Sequence, residues 1–328
     1  MSSLPDTQPI TPLISLVCPA LNEAHSLAIF FEAIDKVILS NPNWHFEIVC
    51  VDDGSKDNTL DLLRKKATQD SHYKVIELSR NFGKEAALTA GIDHALGDAV
   101  IPFDVDLQDP PELIPKMIAL WQEDFDIVLA RRIDRAHDSF FKRLTARWFY
   151  RLHNRLSDTE IPDNVGDFRL LNRSAVNALK RFPERQRFMK GLFASLGFQT
   201  ATLDYDRSAR SAGSGKFSAW KLWTLALDGI TSFSTAPLRI WMYIGSIGAL
   251  CSLVYGAFIV VRTLIHGVDV PGYASILVAI LFLGSLQLIS IGILGEYIGR
   301  IYAESKQRPL YIVRNIYNQK NTSLPAKL

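Results

Sequence analysis

Hydrophobic positions along this chain fall into two regimes. Through about residue 235 they come in short bursts, and beyond that point they run on almost unbroken. In the first regime Ser15–Cys18, Phe46–Val51, Lys74–Leu78, Ala99–Phe103 and Ile127–Ala130 are short apolar runs that read as β-strands. Segments 24–39, 59–69, 84–95 and 111–122 carry apolar residues at helical spacing and follow several of these strands. Asp57 or Asn58 suits the cap of the second helix, and Pro111 suits the first turn of the fourth. This alternation predicts an α/β domain, a Rossmann-like and mostly parallel sheet with helices on both faces.

In the second regime, Ile240–Val261 is an uncharged run of 22 residues and Ala274–Leu294 one of 21. Each is long enough to cross a hydrocarbon core of about 30 Å as a helix. Lysine and arginine gather outside this pair, with Arg210, Lys216, Lys221 and Arg239 before it and Arg300, Lys306, Arg308, Arg314, Lys320 and Lys327 after it. The expectation is a hairpin in the lipid bilayer, with both termini and the α/β domain on the cytoplasmic side. Gly248, Ser252 and Gly256 form a small-residue face that permits close helix packing and, with it, a homo-oligomer. Residues 1–12 are polar and lack the charge and apolar core of a signal peptide. The expected division is a flexible 1–12, the α/β domain over 13–216, an interfacial segment 217–238, the hairpin 239–298 and a cytoplasmic tail 299–328.

A length of 328 residues suits about two domains, and 48% apolar against 21% charged residues excludes general disorder. Thirty-six basic against 34 acidic residues leave +2, no field for nucleic acid. Cys18, Cys50 and Cys251 lie far apart, without metal-ligand spacing, which fits a reducing compartment.

Carboxylates recur where strands end. Glu23 follows the first strand, Asp52 and Asp53 the second, and Asp104 and Asp106 the fourth. Ligands of open parallel sheets bind at that carboxyl edge. No Gly-x-Gly-x-x-Gly follows the first strand and no Walker A loop occurs. An acidic edge repels phosphate unless a cation intervenes. Asp104-Val-Asp106-Leu-Gln108 offers oxygen ligands at alternating positions of an extended chain, which suit Mg²⁺ or Mn²⁺ bridging to a nucleotide diphosphate.

Pro19-Ala-Leu-Asn22-Glu23, Val51-Asp-Asp-Gly-Ser-Lys-Asp-Asn-Thr59 and Asp104-Val-Asp-Leu-Gln-Asp-Pro-Pro111 together resemble family 2 glycosyltransferases of the GT-A fold. Arg80-Asn-Phe-Gly-Lys84, Gly166-Asp-Phe-Arg-Leu170 and Leu294-Gly-Glu-Tyr-Ile-Gly-Arg300 extend the likeness over 13–315 to polyisoprenyl-phosphate glycosyltransferases, in particular the phage-type bactoprenol glucosyltransferases. The resemblance implies inverting transfer of glucose from UDP-glucose to undecaprenyl phosphate at the cytoplasmic face of the bacterial inner membrane, giving a lipid-linked sugar for O-antigen modification.

It also implies roles. Pro19, Asn22, Glu23 and Asp52 line the nucleoside pocket, Asp53 shapes its turn, and Lys84 contacts the donor. Asp104, Asp106 and Gln108 hold the metal and diphosphate, and Asp167 lies near the reacting sugar. Arg169, Arg207, Arg210 and Lys216 are expected at the acceptor phosphate, where arginine gives bidentate contacts. The basic loop reads Arg210-Ser-Ala-Gly213-Ser-Gly215-Lys216, with Gly215 where the family has serine.

A lipid phosphate has a second pKa of about 6, so it is mostly dianionic near neutrality and needs positioning more than a general base. Asp167 is therefore expected to orient rather than deprotonate. Phe141, Leu144, Trp148, Leu152 and Leu156 recur at helical spacing beside Arg143, Arg147 and Arg151, which predicts an interfacial helix; 217–233, with Phe217, Trp220 and Trp223, is a second candidate. Gln186-Arg-Phe188 lacks the Gln-x-x-Arg-Trp pattern of processive synthases. Rival readings change the sugar to mannose, an aminoarabinose derivative or an N-acetylhexosamine, or make the chain a non-enzymatic lipid-sugar translocation subunit.

Overall fold

A computed structural model describes residues 11–133, 164–184, 187, 189–205, 236–266, 272–318 and 321–325. In chain order the elements are β1 (Leu13–Ala20), α1 (Leu27–Ser40), β2 (His45–Asp52), α2 (Thr59–Gln69), β3 (Tyr73–Leu78), α3 (Lys84–His94), β4 (Ala99–Pro102), α4 (Ile114–Gln122) and β5 (Ile127–Arg132). They continue as β6 (Val165–Asn172), α5 (Arg173–Lys180), α6 (Met189–Ala194), β7 (Thr200–Tyr205), α7 (Ala236–His266), α8 (Tyr273–Ser305), β8 (Val313–Asn318) and β9 (Asn321–Pro325).

Among the described residues nine strands form one sheet in the order β7-β5-β6-β4-β1-β2-β3-β8-β9. The central block β4-β1-β2-β3 is parallel. β6 and β8 run against the other seven strands. The sheet is thus mixed, with its parallel part where the short apolar runs predict it.

β1 is apolar on both faces because both are covered. Ile14, Leu16 and Cys18 enter one core with Phe30 and Ile34 of α1 and Met117 of α4, while Val17 enters the other with Leu88 of α3 and Val176 of α5. Full burial of such a side chain stabilises by about 1.5–3 kcal/mol, so a strand of this composition belongs between two helix layers.

α3 lies unusually close to the sheet. A Cβ on Gly91 would stand 2.2 Å from Val17 Cγ1, so only glycine fits without a shift. This approach sets the depth of α3 and hence of Lys84 at its first turn.

The tail expected over 299–328 holds two strands of the sheet. β8 pairs antiparallel with β3, setting Tyr317 opposite Val75 and Asn315 opposite Glu77. Glu77 is buried and accepts hydrogen bonds from Asn315 Nδ2 (2.9 Å) and Tyr317 OH (2.7 Å). Tyr311 OH donates to Asp93 Oδ2 at 2.8 Å, tying the same segment to α3.

The two expected spans fall within α7, 31 residues long, and α8, 33 residues long. Among the described residues Phe282–Ser305 is the helical stretch long and apolar enough to cross a membrane, at mean hydropathy 1.4. Large apolar side chains on both helices stay uncovered, Leu264 at 81% and Leu288 at 71% exposure. Glu296 pairs with Arg300 one turn on, at 3.1 Å.

Candidate active site

The carboxyl edge of the parallel strands is one continuous surface of polar loops. After β1, Asn22 takes a left-handed conformation (φ 55°), which asparagine tolerates. Asn22 Oδ1 accepts from Lys56 N (2.8 Å), Asn22 N donates to Ser55 Oγ (3.0 Å), and Glu23 N donates to Thr59 Oγ1 (2.8 Å). The loops after β1 and β2 are thereby stitched into one wall. Gly54 is left-handed (φ 72°), and a Cβ there would meet Asn81 N at 2.6 Å.

Asp52 and Asp53 divide the work of the β2 turn. Both Asp53 oxygens are engaged, accepting from Phe82 N (2.7 Å) and Gly83 N (2.9 Å), so Asp53 clamps the loop that leads into α3. Asp52 Oδ2 accepts from Ser55 N at 3.2 Å, while Oδ1 is buried without a hydrogen-bond partner. Burial raises the pKa of Asp52 against the pull of its Ser55 and Gly54 contacts, and burial likewise raises that of Asp53. A buried carboxylate oxygen left open at a ligand edge is an acceptor waiting for a donor.

The acidic motif after β4 is a turn, and the expected extended alternation does not occur. The strand ends at Pro102, Leu107 N reaches back to Asp104 O at 3.4 Å, and Leu107 is left-handed (φ 52°). That conformation costs a leucine roughly 1–2 kcal/mol. It leaves Asp104 and Asp106 partly exposed, turns Val105 inward, and buries Gln108, whose Nε2 has no hydrogen-bond partner.

Lys84 joins this motif to β6. Its Nζ lies 2.8 Å from Asp104 Oδ2 and 3.2 Å from Asp167 Oδ2. Burial acts to lower its pKa; the two carboxylates outweigh that and leave it raised. An ammonium already bound to Asp104 shows that this place accepts a cation, and hard oxygen donors suit a divalent ion. Among the described residues no three His, Cys, Asp or Glu side chains converge as a complete metal shell. A metal held by Asp104 and Asp106, with Gln108 beside them, would need further ligands from a substrate.

Beyond β6 the same edge continues as a cleft of about 480 Å³ lined by Arg131, Arg132, Asn164, Thr202 and Asp204. Arg131 is tied to Asp204 by two hydrogen bonds. Arg132 donates to Tyr205 OH at 3.1 Å and lies 3.6 Å from Asp109 Oδ1, and Tyr205 OH donates to Asp109. Burial, with Asp109 close by, pushes the Tyr205 pKa up to about 12 against the opposing Arg132, so this hydroxyl stays protonated and holds the cluster.

Sequence comparison fits this geometry. The Glycosyl transferase family 2 domain matches residues 15–180, from β1 through α5, and the GtrB C-terminal hairpin matches residues 236–301. The chain belongs to glycosyltransferase family 2. This glycosyltransferase is 53% identical over 302 residues to a bactoprenol glucosyl transferase of Shigella phage SfV, covering 92% of this chain and 98% of that one. It is 51% identical over 304 residues to the uncharacterized glycosyltransferase sll0501 of Synechocystis, covering 93% and 95%. It is 42% identical over 313 residues to the putative glycosyltransferase CsbB of Bacillus subtilis, covering 95% and 94%.

In this glycosyltransferase Asn22, Glu23, Asp52 and Asp53 gather on one wall, with Pro19 just before it in β1, while Lys84 bridges Asp104 and Asp167. Arg169, expected at an acceptor phosphate, is a buried side chain in the structure. It is 4% exposed, stacks 4.1 Å over the Phe193 ring, and donates to Gly166 O at 2.6 Å. Burial pulls its pKa down to about 10 against Asp167, so it remains charged and braces the Gly166–Asp167 segment from beneath. Arg207, Arg210 and Lys216 lie outside the described residues, as do the proposed interfacial segments 139–156 and 217–233, and Gln186 and Phe188. Sequence reasoning missed Arg132, Tyr205 and Asp109. The available signal was Arg131-Arg132 at a strand's carboxyl end, the placement that singled out the carboxylates.

Proposed function

We propose that this enzyme transfers a glucosyl group, with inversion, from UDP-glucose to undecaprenyl phosphate at the cytoplasmic face of the bacterial inner membrane. The lipid-linked glucose then serves O-antigen or other envelope glycosylation. The observation that carries the reading is the 53% identity, along nearly the whole of both chains, to the phage protein named bactoprenol glucosyl transferase. The geometry supports it with a nucleoside wall, a cation place and a basic cleft on one sheet edge.

The open Asp52 Oδ1 takes an N–H of the uracil ring, and Asn22 and Glu23 frame that wall. Asp104, Asp106 and Gln108 would hold Mg²⁺ or Mn²⁺, which when bound neutralises charge on the departing diphosphate. The lipid phosphate needs alignment more than deprotonation, so Asp167 acts through Lys84 and by orienting the sugar. Arg132, steadied by Asp109 and Tyr205, faces the acceptor phosphate from the cleft. Arg210 and Lys216 are kept as further acceptor contacts on the strength of the family resemblance, and Arg207 for the charge the phosphate needs.

The membrane reading is two spans with both termini and the catalytic domain in the cytoplasm. The basic residues outside the hairpin support it. So does the pairing of β8 with β3, which needs both ends of the hairpin on one side. The deciding experiment is UDP release from purified full-length protein with Mg²⁺ or Mn²⁺ and undecaprenyl phosphate, across UDP- and GDP-sugars. Acceptor-dependent release with UDP-glucose alone is expected. Release only with another sugar would move the donor assignment, and none with any donor would overturn the reading.

A further inference from the structure

Lys84 does something a plain donor contact does not require. Its ammonium reaches Asp104 Oδ2 at 2.8 Å, on a carboxylate proposed to ligate the metal, and spans to Asp167 Oδ2 at 3.2 Å. A divalent ion held at about 2.0–2.1 Å by the same oxygen would meet this positive charge at close range. The two cations therefore compete.

The backbone that carries Lys84 is not free to yield. α3 begins at Lys84, the two preceding N–H groups are clamped by Asp53, and Gly91 seats the helix hard against Val17. The side chain can yield, because it is 49% exposed on a flexible four-carbon stem. Among the described residues there is no complete shell of carboxylate or imidazole ligands to favour a metal on its own. A nucleotide diphosphate changes the balance, since it supplies oxygen ligands to the metal and a new anionic partner to the displaced ammonium.

We infer that Lys84 is a built-in counter-cation that fills the cation place between Asp104 and Asp167 in the substrate-free enzyme, and is displaced when metal and nucleotide diphosphate enter together. The inference rests on the reading above, in which this site takes a metal–diphosphate pair. Its consequence is order of addition: the metal arrives with the nucleotide and is not held beforehand.

The test is Mn²⁺ binding to the full-length protein in detergent, followed by electron paramagnetic resonance with and without UDP. Wild type is expected to bind Mn²⁺ weakly alone and much more tightly with UDP. K84M should bind Mn²⁺ alone about tenfold more tightly than wild type, shrinking the gain from UDP. K84R keeps the cation and should bind no more tightly than wild type. K84M/D106A should lose the gain, which assigns it to this site. Circular dichroism establishes that each variant is folded. K84M affinity equal to or weaker than wild type, with wild type still binding Mn²⁺–UDP, overturns the inference and leaves the proposed function standing. Wild type that binds no Mn²⁺ even with UDP overturns both.

Discussion

Asp52 illustrates how one atom separates a fully engaged carboxylate from one with an open oxygen. Asp53 beside it spends both oxygens on backbone N–H groups, whereas Asp52 keeps one open. Asp52→Ala is expected to weaken UDP binding by about ten- to a hundredfold, the worth of a charged hydrogen bond of about 1.5–3 kcal/mol. Titration calorimetry measures it. Uridine, which carries no phosphate, reports the pH dependence cleanly. Its donor N–H needs the ionised carboxylate, so binding should hold steady at about pH 6–8 and fall on acidification, beginning above the ordinary aspartate value of about 3.9 because burial raises the Asp52 pKa. NMR titration checks this, and a wild type as indifferent to acid as Asp52→Ala would refute the assignment. Asp106→Ala, correctly folded, should abolish sugar transfer; near-normal turnover would remove the metal assignment.

Most of these acidic residues were legible because strand ends can be read from apolar runs, and a carboxylate one or two positions beyond such a run must face the edge. Arg169 was not. It shares a strand face with Asp167 by the two-residue period but lies one rung further from the edge, where Phe193 covers it. Periodicity gives the face of a residue and not its distance from the rim.

At the scale of elements, α3 and the β5–β7 corner decide how the two halves of the site meet. Gly91→Ala should destabilise the fold by about 1–3 kcal/mol through overpacking against Val17, with Val17→Ala restoring much of the loss. Thermal melts of the single and double variants test it. At the corner, Tyr205→Phe removes the hydroxyl that links Asp109 to Arg132. The Michaelis constant for the lipid phosphate should rise several-fold while UDP affinity stays unchanged. A rise in both would mean that the cluster serves the fold as a whole.

Strands β6, β7 and β8 of the sheet escaped sequence reading. β6 carries Gly166, Asp167 and Arg169, β7 alternates around Thr202 and Asp204, and β8 around Arg314 and Asn315. β7 and β8 lie outside the parallel core, where one polar face is tolerated, and β6, covered on both faces, is interrupted at Gly166, Asp167 and Arg169, so no continuous apolar run marks any of the three. The parallel core strands β1 to β4, apolar on both faces, were read nearly to their ends.

For the whole molecule, the chain leaves the sheet after β7, forms the hairpin, and returns to the sheet at β8. Only seven residues, Lys306 to Ile312, separate α8 from β8. Fully extended they reach about 23 Å, which keeps the β3 side of the sheet near the end of the hairpin. Removing residues 309–328 should expose the β3 edge and strip Glu77 of its tyrosine and asparagine donors. The expected outcome is aggregation, read by size-exclusion chromatography, with the hairpin intact. A monodisperse, fully active truncation would show that β8 is dispensable.

The same pairing sets a timetable for biosynthesis. Glu77 meets Asn315, a partner 238 positions further along the chain, so the ribosome has made both hairpin helices before β3 can find its neighbour. With synthesis running at about 5–20 residues per second, β3 waits on the order of ten seconds or more with an open edge. Completion of the sheet therefore follows hairpin synthesis, and this glycosyltransferase finishes folding only after both hairpin helices have been made.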